Sequence, residues 1–273
     1  VAVTGVQTCA LPISDGTCAG VRLRYAVEPA PLDTAGAIRF AADASGIDDT
    51  FVVANGDFLT DLDVSGLVAF HRTCGAEATL HLIAVPDPSA FGVVALDGDG
   101  RVERFVEKPA PGTEPSNLVN AGTYVLEPSV LARIPVAEKT SIERVTFPAV
   151  VADHGLFAMA TGDYWIDTGR PDTYLAANLD VLRGARRHDT CTAVHPSASV
   201  GDGVTLHDSI VDAGAVVGGG AVLRSSVVLA GARIGVGAIV TDSVVMGRVG
   251  DGAQVSESVI GAEGDVADGE RVR

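Results

Sequence analysis

Eight aliphatic residues, Val204, Ile210, Val216, Val222, Val228, Ile234, Val240 and Met246, recur every six positions along the C-terminal part of the chain. A helix repeats its apolar face every 3.6 residues, and a single strand seldom runs beyond ten, so neither sustains this spacing. A solenoid does. Each six-residue unit supplies one short strand and a tight turn, three units close a triangular coil, and the recurring aliphatic points inward onto its equivalents in the neighbouring coils. A second register, Val194, Val200 and Leu206, begins the same way and lapses at Asp212, Gly218 and Arg224. After Met246 the spacing slips through Val249, Val255 and Ile260, as expected at a capping turn or at an edge of the recovered sequence. Fifteen of the 32 glycines lie between Cys191 and Glu270, where tight corners call for them.

The preceding part follows a different rule. Phe51 to Ala54 reads as a short strand ending in Asn-Gly-Asp, Leu67 to Arg72 as a helix and Ala78 to Val85 as a strand. Gly92 to Leu96 and Val102 to Phe105 straddle a Gly-Asp-Gly turn as a hairpin. Ser141 to Asp153 has a helical pattern, and so does Pro171 to Leu182, with proline in its first turn and Gly184 just past its end. Strand followed by helix, repeated, predicts an α/β domain with a mainly parallel sheet. The expected organisation is a leader over 1–14, an α/β domain over 15–190 and the solenoid over 191–273.

Charge and cysteine usage narrow the class of partner. The formal charge is −16, so a polynucleotide backbone would be repelled. The four cysteines form no C-x-x-C pair and the six histidines no zinc spacing, which points to reduced thiols in a cytoplasmic protein. No run of 18 apolar residues is present, so no membrane span is expected. Only Lys108 and Lys139 are lysines, which draws attention to Lys108 inside Glu107-Lys108-Pro109.

Three groups of residues could carry chemistry. Asn55, Gly56 and Asp57 follow a strand, where α/β sheets place ligand groups; an aspartate there can hold a hard cation and a glycine lets a ligand approach the backbone. Taken alone, the three residues read more plainly as an Asx turn joining the strand to the next helix. Glu107, Lys108, Asn120 and Gly122 offer both charges and an amide, suited to sugar hydroxyls and a phosphate, although an exposed ion pair worth about 0 to 1 kcal/mol is the plain alternative. Asp167, after the single tryptophan Trp165, could join Asp57 in a Mg²⁺ site if the fold brings the two together. His71 is expected to be structural or on the surface, and Arg144 is an outside candidate for a phosphate contact.

In this order the motifs resemble the sugar-nucleotide pyrophosphorylases, nucleotidyltransferases that join a nucleoside triphosphate to a sugar 1-phosphate, and within them the mannose-1-phosphate guanylyltransferases. Glu28-Pro-Ala-Pro-Leu-Asp-Thr-Ala-Gly36 is similar to the family segment near the nucleotide base. Asn55-Gly56-Asp57 is similar to its metal-bearing motif, Glu107-Lys108-Pro109 to the motif that holds the sugar phosphate, and Asn120-Ala121-Gly122 to its sugar-contacting turn. Tyr164 to Gly169 is similar to its second metal-aspartate motif, and the hexapeptide tail to the left-handed parallel β-helix that many members carry. The resemblance implies a Rossmann-like nucleotidyltransferase domain with Asp57, Lys108 and Asp167 catalytic, and Gly36, Gly56, Glu107, Asn120 and Gly122 binding substrate. It also implies Mg²⁺ on Asp57 and Asp167, and a homo-oligomer. The implied substrates are GTP and mannose 1-phosphate, with pyrophosphate released.

The family's opening glycine-rich phosphate loop has no counterpart in residues 1–20. Val1 to Ser14 is an uncharged string resembling translated adapter sequence, so the chain is expected to be truncated and weakly active or inactive. Thymidylyl-, adenylyl- and uridylyltransferases share the architecture, and a noncatalytic regulatory or scaffold subunit could lack the loop. An acyltransferase would follow from the hexapeptides alone, but His195 and His207 lack the setting such enzymes use.

Overall fold

Apolar runs and helical stretches resolve, in the computed structural model, into a mixed six-stranded sheet followed by a three-sided parallel β-solenoid. Residues 2–3, 17–18, 21–187 and 191–273 are described; apart from 2–3, the expected leader over 1–14 lies outside them. By contacts the chain forms two units, Val1–Gly56 with Leu62–Asp163, and Asp57–Asp61 with Tyr164–Arg273.

In chain order the elements before the repeat are α1 (Asp33–Ser45), β1 (Phe51–Ala54), β2 (Phe58–Thr60), α2 (Val64–Cys74), β3 (Ala78–Ala84), β4 (Gly92–Leu96), β5 (Val102–Glu107), β6 (Leu118–Leu126), α3 (Pro128–Ala132), α4 (Phe147–Ala152), β7 (Leu156–Thr161), β8 (Trp165–Asp167) and α5 (Pro171–Leu182). The short pair Ala2–Val3 and Arg24–Tyr25 runs parallel. In the first unit the strand order is β7-β3-β6-β4-β5, with β1 also on β6. Only β3 and β7 pair in parallel within this sheet; β6 is antiparallel to β1, β3 and β4, and β4 and β5 form a hairpin. The expected mainly parallel sheet is therefore corrected to a mixed one, because β6 enters without a crossover helix and runs back between β1 and β3.

The core of this unit packs Leu80, Leu82, Tyr124, Leu126, Ile142, Phe147 and Leu156, all essentially without solvent contact. β3 is buried on both faces, which is why its sequence reads as a nearly continuous apolar run. α1 closes with Gly46 at φ 66°, its N–H on the Asp43 carbonyl and that of Ile47 on Ala42. The helix expected over Ser141 to Asp153 divides into a π turn, Ile142–Thr146, and α4. Phe147 N–H reaches back to the Ile142 carbonyl, and Pro148 has no N–H to continue the α-helical ladder.

The solenoid consists of three parallel sheets whose partners lie 17 residues apart, as in Val200↔Val217, Leu206↔Leu223 and Val211↔Val228. One coil is shorter, with Ile234↔Val249, Val240↔Val255 and Val245↔Ile260. A coil of 17 has one five-residue side, so a strict count of six drifts against the wall. Ile210, Val216 and Val222 stand one position before the inward residues Val211, Val217 and Leu223. Val228, Ile234 and Val240 occupy inward positions, and Met246 falls one past Val245 and is exposed. The expectation that the whole ladder points inward is corrected accordingly. Of the second register, Val194 and Leu206 pack against the solenoid core while Val200 is exposed, and the slip after Met246 is the shortened coil, since Val249, Val255, Ile260 and Val266 remain in the core.

The five-residue sides share a signature. Asp208, Ser225, Asp242 and Glu257 take positive φ, and each precedes a serine, Ser209, Ser226, Ser243 or Ser258. Each hydroxyl donates to the carbonyl two residues earlier, while the N–H of the next serine in the stack donates to it, at 3.1–3.2 Å. This column satisfies the buried polar groups of the corner without water.

Candidate active site

The second unit brings the two expected metal aspartates together. β2 and β8 pair antiparallel, with Phe58 opposite Asp167, and the Trp165 ring lies 5.4 Å from that of Phe58. Thr168 donates to the Asp57 carbonyl through both its N–H (2.8 Å) and its hydroxyl (2.9 Å), and Gly169 N–H donates to Asp167 Oδ1 (2.8 Å). Both carboxylates border the open side of Gly169: a Cβ there would sit 3.0 Å from Asp167 Oδ1 and 3.7 Å from Asp57 Oδ2. Two carboxylate oxygens that converge beside one glycine are a donor set that suits Mg²⁺, which completes its octahedron with water and phosphate oxygens. Among the described residues no group of three or more His, Cys, Asp or Glu forms a metal cage.

Asp61, which no motif singled out, anchors this hairpin. Its side chain is 2% exposed, accepts from Arg186 Nε (3.0 Å) and the Arg187 N–H (3.0 Å), and Arg186 also donates to the Thr60 carbonyl (2.9 Å). Tyr164 donates its hydroxyl to Asp180 (2.9 Å); burial and that carboxylate hold its phenol well above the usual range.

In the first unit, Asn120-Ala121-Gly122 forms the bulge at which β6 changes its neighbour from β4 to β1. Gly122 has φ 75°, its carbonyl accepts from Asn55 N–H (2.9 Å), and its own N–H donates to Asn120 Oδ1 (3.0 Å). Asn120 Nδ2 donates to the buried Tyr124 hydroxyl (2.9 Å), so the amide shapes the bulge, and the bulge meets the Asn-Gly-Asp segment at Asn55. Gly56 is exposed, and a Cβ there would meet nothing within 4 Å.

Glu107 ends β5 opposite Gly92, where an added Cβ would come within 2.9 Å of its Oε2 and 2.7 Å of the Phe105 ring. A glycine at 92 is what makes room for this carboxylate, a requirement visible only once the strands are paired. Burial, then the nearby Glu143, raise the Glu107 carboxyl above its ordinary value, while Lys108 and Arg144 oppose the rise. Lys108 has φ 48°, which costs a non-glycine residue about 1 kcal/mol or more, and its side chain is exposed at the strand end. Gly36 lies inside α1, where a Cβ would sit 2.6 Å from the Glu138 carbonyl oxygen; its smallness serves packing against 138–140. His71 is buried between Thr79 and Glu127, at 2.8 and 2.9 Å.

Comparison with known proteins gives the arrangement its context. The mannose-1-phosphate guanylyltransferase of Mycobacterium tuberculosis is 38% identical over 200 residues, covering 70% of this chain and 55% of that protein. The mannose-1-phosphate guanyltransferases of Hypocrea jecorina and Schizosaccharomyces pombe are 36% and 40% identical, over 66% and 62% of this chain and 54% and 46% of theirs. The chain thus spans about half the length of the curated relatives it matches. The solved structure of HddC from Yersinia pseudotuberculosis shares the fold, with a TM-score of 0.52 over 64% of this chain and 75% of that one at 24% identity. Residues 193–272 match the family described as GlmU-like, C-terminal hexapeptide. Residues 7–184, well over half of the chain, match the family described as Nucleotidyl transferase, and the chain belongs to that family.

Proposed function

We propose that the protein transfers a guanylyl group from GTP to mannose 1-phosphate and releases pyrophosphate. The observation that carries this reading is the convergence of Asp57 and Asp167 beside Gly169 in a chain whose relatives are mannose-1-phosphate guanylyltransferases. Asp57 and Asp167 would hold Mg²⁺, which supplies charge neutralisation for the triphosphate when bound. Lys108 places an ammonium against the phosphate of the sugar, and Glu107 accepts hydrogen bonds from its hydroxyls. Asn120 sets the bulge that presents the backbone at Gly122 to the sugar, and Gly56 leaves the approach to the backbone open. The sugar-phosphate oxygen attacks the α-phosphorus in line, so the residues contribute position and charge rather than a covalent intermediate.

No described helix is long and apolar enough to cross a membrane. A reducing cytoplasmic setting is supported by the unpaired thiols of Cys74 and Cys191, and self-association by the exposed Val236 and Val259 of the solenoid.

The test is pyrophosphate release and equilibrium binding with GTP, dTTP, ATP and UTP, each with mannose and glucose 1-phosphate. Preference for GTP and mannose 1-phosphate is expected, and preference for another pair overturns the specificity. Asp57→Asn and Asp167→Asn should each weaken Mg²⁺-dependent GTP binding; unchanged binding in both removes the metal role.

A further inference from the structure

Segment 138–144 is tied to the start of α1 by several hydrogen bonds. Thr140 N–H donates to the Leu32 carbonyl (2.9 Å), and its carbonyl accepts from Ala35 (2.9 Å) and Gly36 (3.2 Å). The Thr34 hydroxyl accepts from Ile142 N–H (2.8 Å) and donates to Glu143 Oε2 (2.8 Å), and the Ser141 hydroxyl donates to that same oxygen (2.8 Å). Glu143 is thereby held by one oxygen, and Oε1 has no partner among the described residues. The backbone here is the π turn, and the buried Thr146 hydroxyl within it makes no hydrogen bond. Such irregular helix turns are frequent at functional sites.

Glu107 shares one face of β5 with Phe105, since both side chains border the Cβ position of Gly92, and the Phe105 ring packs 5.6 Å from that of Phe147 directly after the π turn, so that face of the strand is turned toward this segment. The charged and titratable groups around it are Glu143 and Arg144 of the π turn, Lys108 at the end of its own strand and Tyr124 of β6. Although two cations are near, the Glu107 carboxylate makes no hydrogen bond or ion pair with any described residue, so its acceptor capacity is unspent.

We propose that Glu143 is a positioning residue for Glu107: pinned by Thr34 and Ser141, it fixes a negative charge beside that half-buried carboxylate and makes it a stronger acceptor for the hydroxyls of a bound sugar phosphate. A like charge nearby disfavours a second negative charge and so increases proton affinity, and a more basic oxygen accepts a stronger hydrogen bond. The proposal rests on the sugar-phosphate role given to Glu107 above.

The experiment uses the full chain and three proteins: wild type, Glu143→Gln, which keeps an acceptor for Thr34 and Ser141 but loses the charge, and Glu107→Gln, which identifies the Glu107 resonance. Carboxyl titration is followed by carbon NMR, and mannose 1-phosphate binding by calorimetry from pH 5 to 8. Titration of the ligand phosphate is common to all three and cancels in the comparison. Glu143→Gln should move the Glu107 titration down by about half a pH unit and shift the acid limb of binding with it. An unmoved Glu107 titration overturns the proposal while leaving the role of Glu107 intact. Unchanged affinity in Glu107→Gln instead overturns the sugar-phosphate reading and the proposal with it. Should Glu143→Gln fail to fold, Ser141→Ala, which releases one anchor, should shift the titration in the same direction by less, and no shift counts against the proposal.

Discussion

Replacing Asp61 by alanine removes one half of an ion pair whose carboxylate is 2% exposed and whose guanidinium, on Arg186, is 11% exposed. The loss has two parts. Arg186 Nε and the Arg187 N–H lose this acceptor, and a guanidinium nearly out of water loses the buried carboxylate beside it while still bonded to the Thr60 carbonyl. Breaking a buried pair from one side costs about 3–5 kcal/mol, roughly two to three and a half powers of ten in the folding equilibrium of this unit. The damage should be local to the hairpin that bears Asp57, because Thr60 is the last residue of β2 and Asp61 follows it directly. Trp165, the single tryptophan, packs at a tilt against Phe58 in that hairpin, so its fluorescence during urea unfolding reports on the right region. A double substitution, Asp61→Ala with Arg186→Met, should recover much of the loss, since the buried guanidinium is removed together with its carboxylate and a long apolar side chain can cover the Tyr164 ring over which the guanidinium lies. A loss below about 1 kcal/mol in the single variant, or a double variant no better than the single, would refute the reasoning.

Other perturbations follow from contacts described above. Gly36→Ala should destabilise the first unit by about 1–3 kcal/mol, because the new methyl meets the Glu138 backbone oxygen at 2.6 Å and backbone cannot swing aside; wild-type urea midpoint by circular dichroism would contradict it. Ser226→Ala leaves the buried N–H of Ser243 without its acceptor and should cost about 1–3 kcal/mol, measured on the solenoid by hydrogen exchange; undiminished protection at Ser243 would sink the serine-column account. His81 is buried with Nδ1 unpartnered, and burial lowers it to about 4 from an ordinary 6.5, against a smaller opposing pull from Asp163. Below pH 6.5 the unfolded chain therefore binds the proton that the folded one refuses. Stability should be level above that pH and fall by at most about 3 kcal/mol as pH drops from 6.5 to 4. In His81→Gln that part of the slope should vanish, and an unchanged slope assigns the acid sensitivity to other groups.

The division of labour between sequence and tertiary structure differs along the chain. That the C-terminal part is a solenoid was legible, because a coil of nearly constant length repeats its aliphatics locally. The coil length was not, since one five-residue side moves a six-residue count off the wall by a single position, too little to break the visible ladder. The serines at 209, 226 and 243 stand 17 apart and carried the true period, a polar signal easily passed over when only apolar residues are counted. In the α/β part, α5 was readable to its ends because Pro171 and Gly184 mark them. The direction of β6 was not, because its pattern of buried residues is the same whichever way the strand runs. For the candidate site, the sequence by itself determined which side chains are available: two aspartates each next to a glycine turn, a rare lysine beside a glutamate, and an amide before a glycine. Only the tertiary structure decided that Asp57 and Asp167, 110 positions apart, meet at Gly169, that Gly92 vacates the space Glu107 occupies, and that Glu143 is pinned by Thr34. Local patterns are governed by neighbours along the chain, whereas meetings of this kind depend on strand pairing and helix packing between distant segments, which no local spacing encodes.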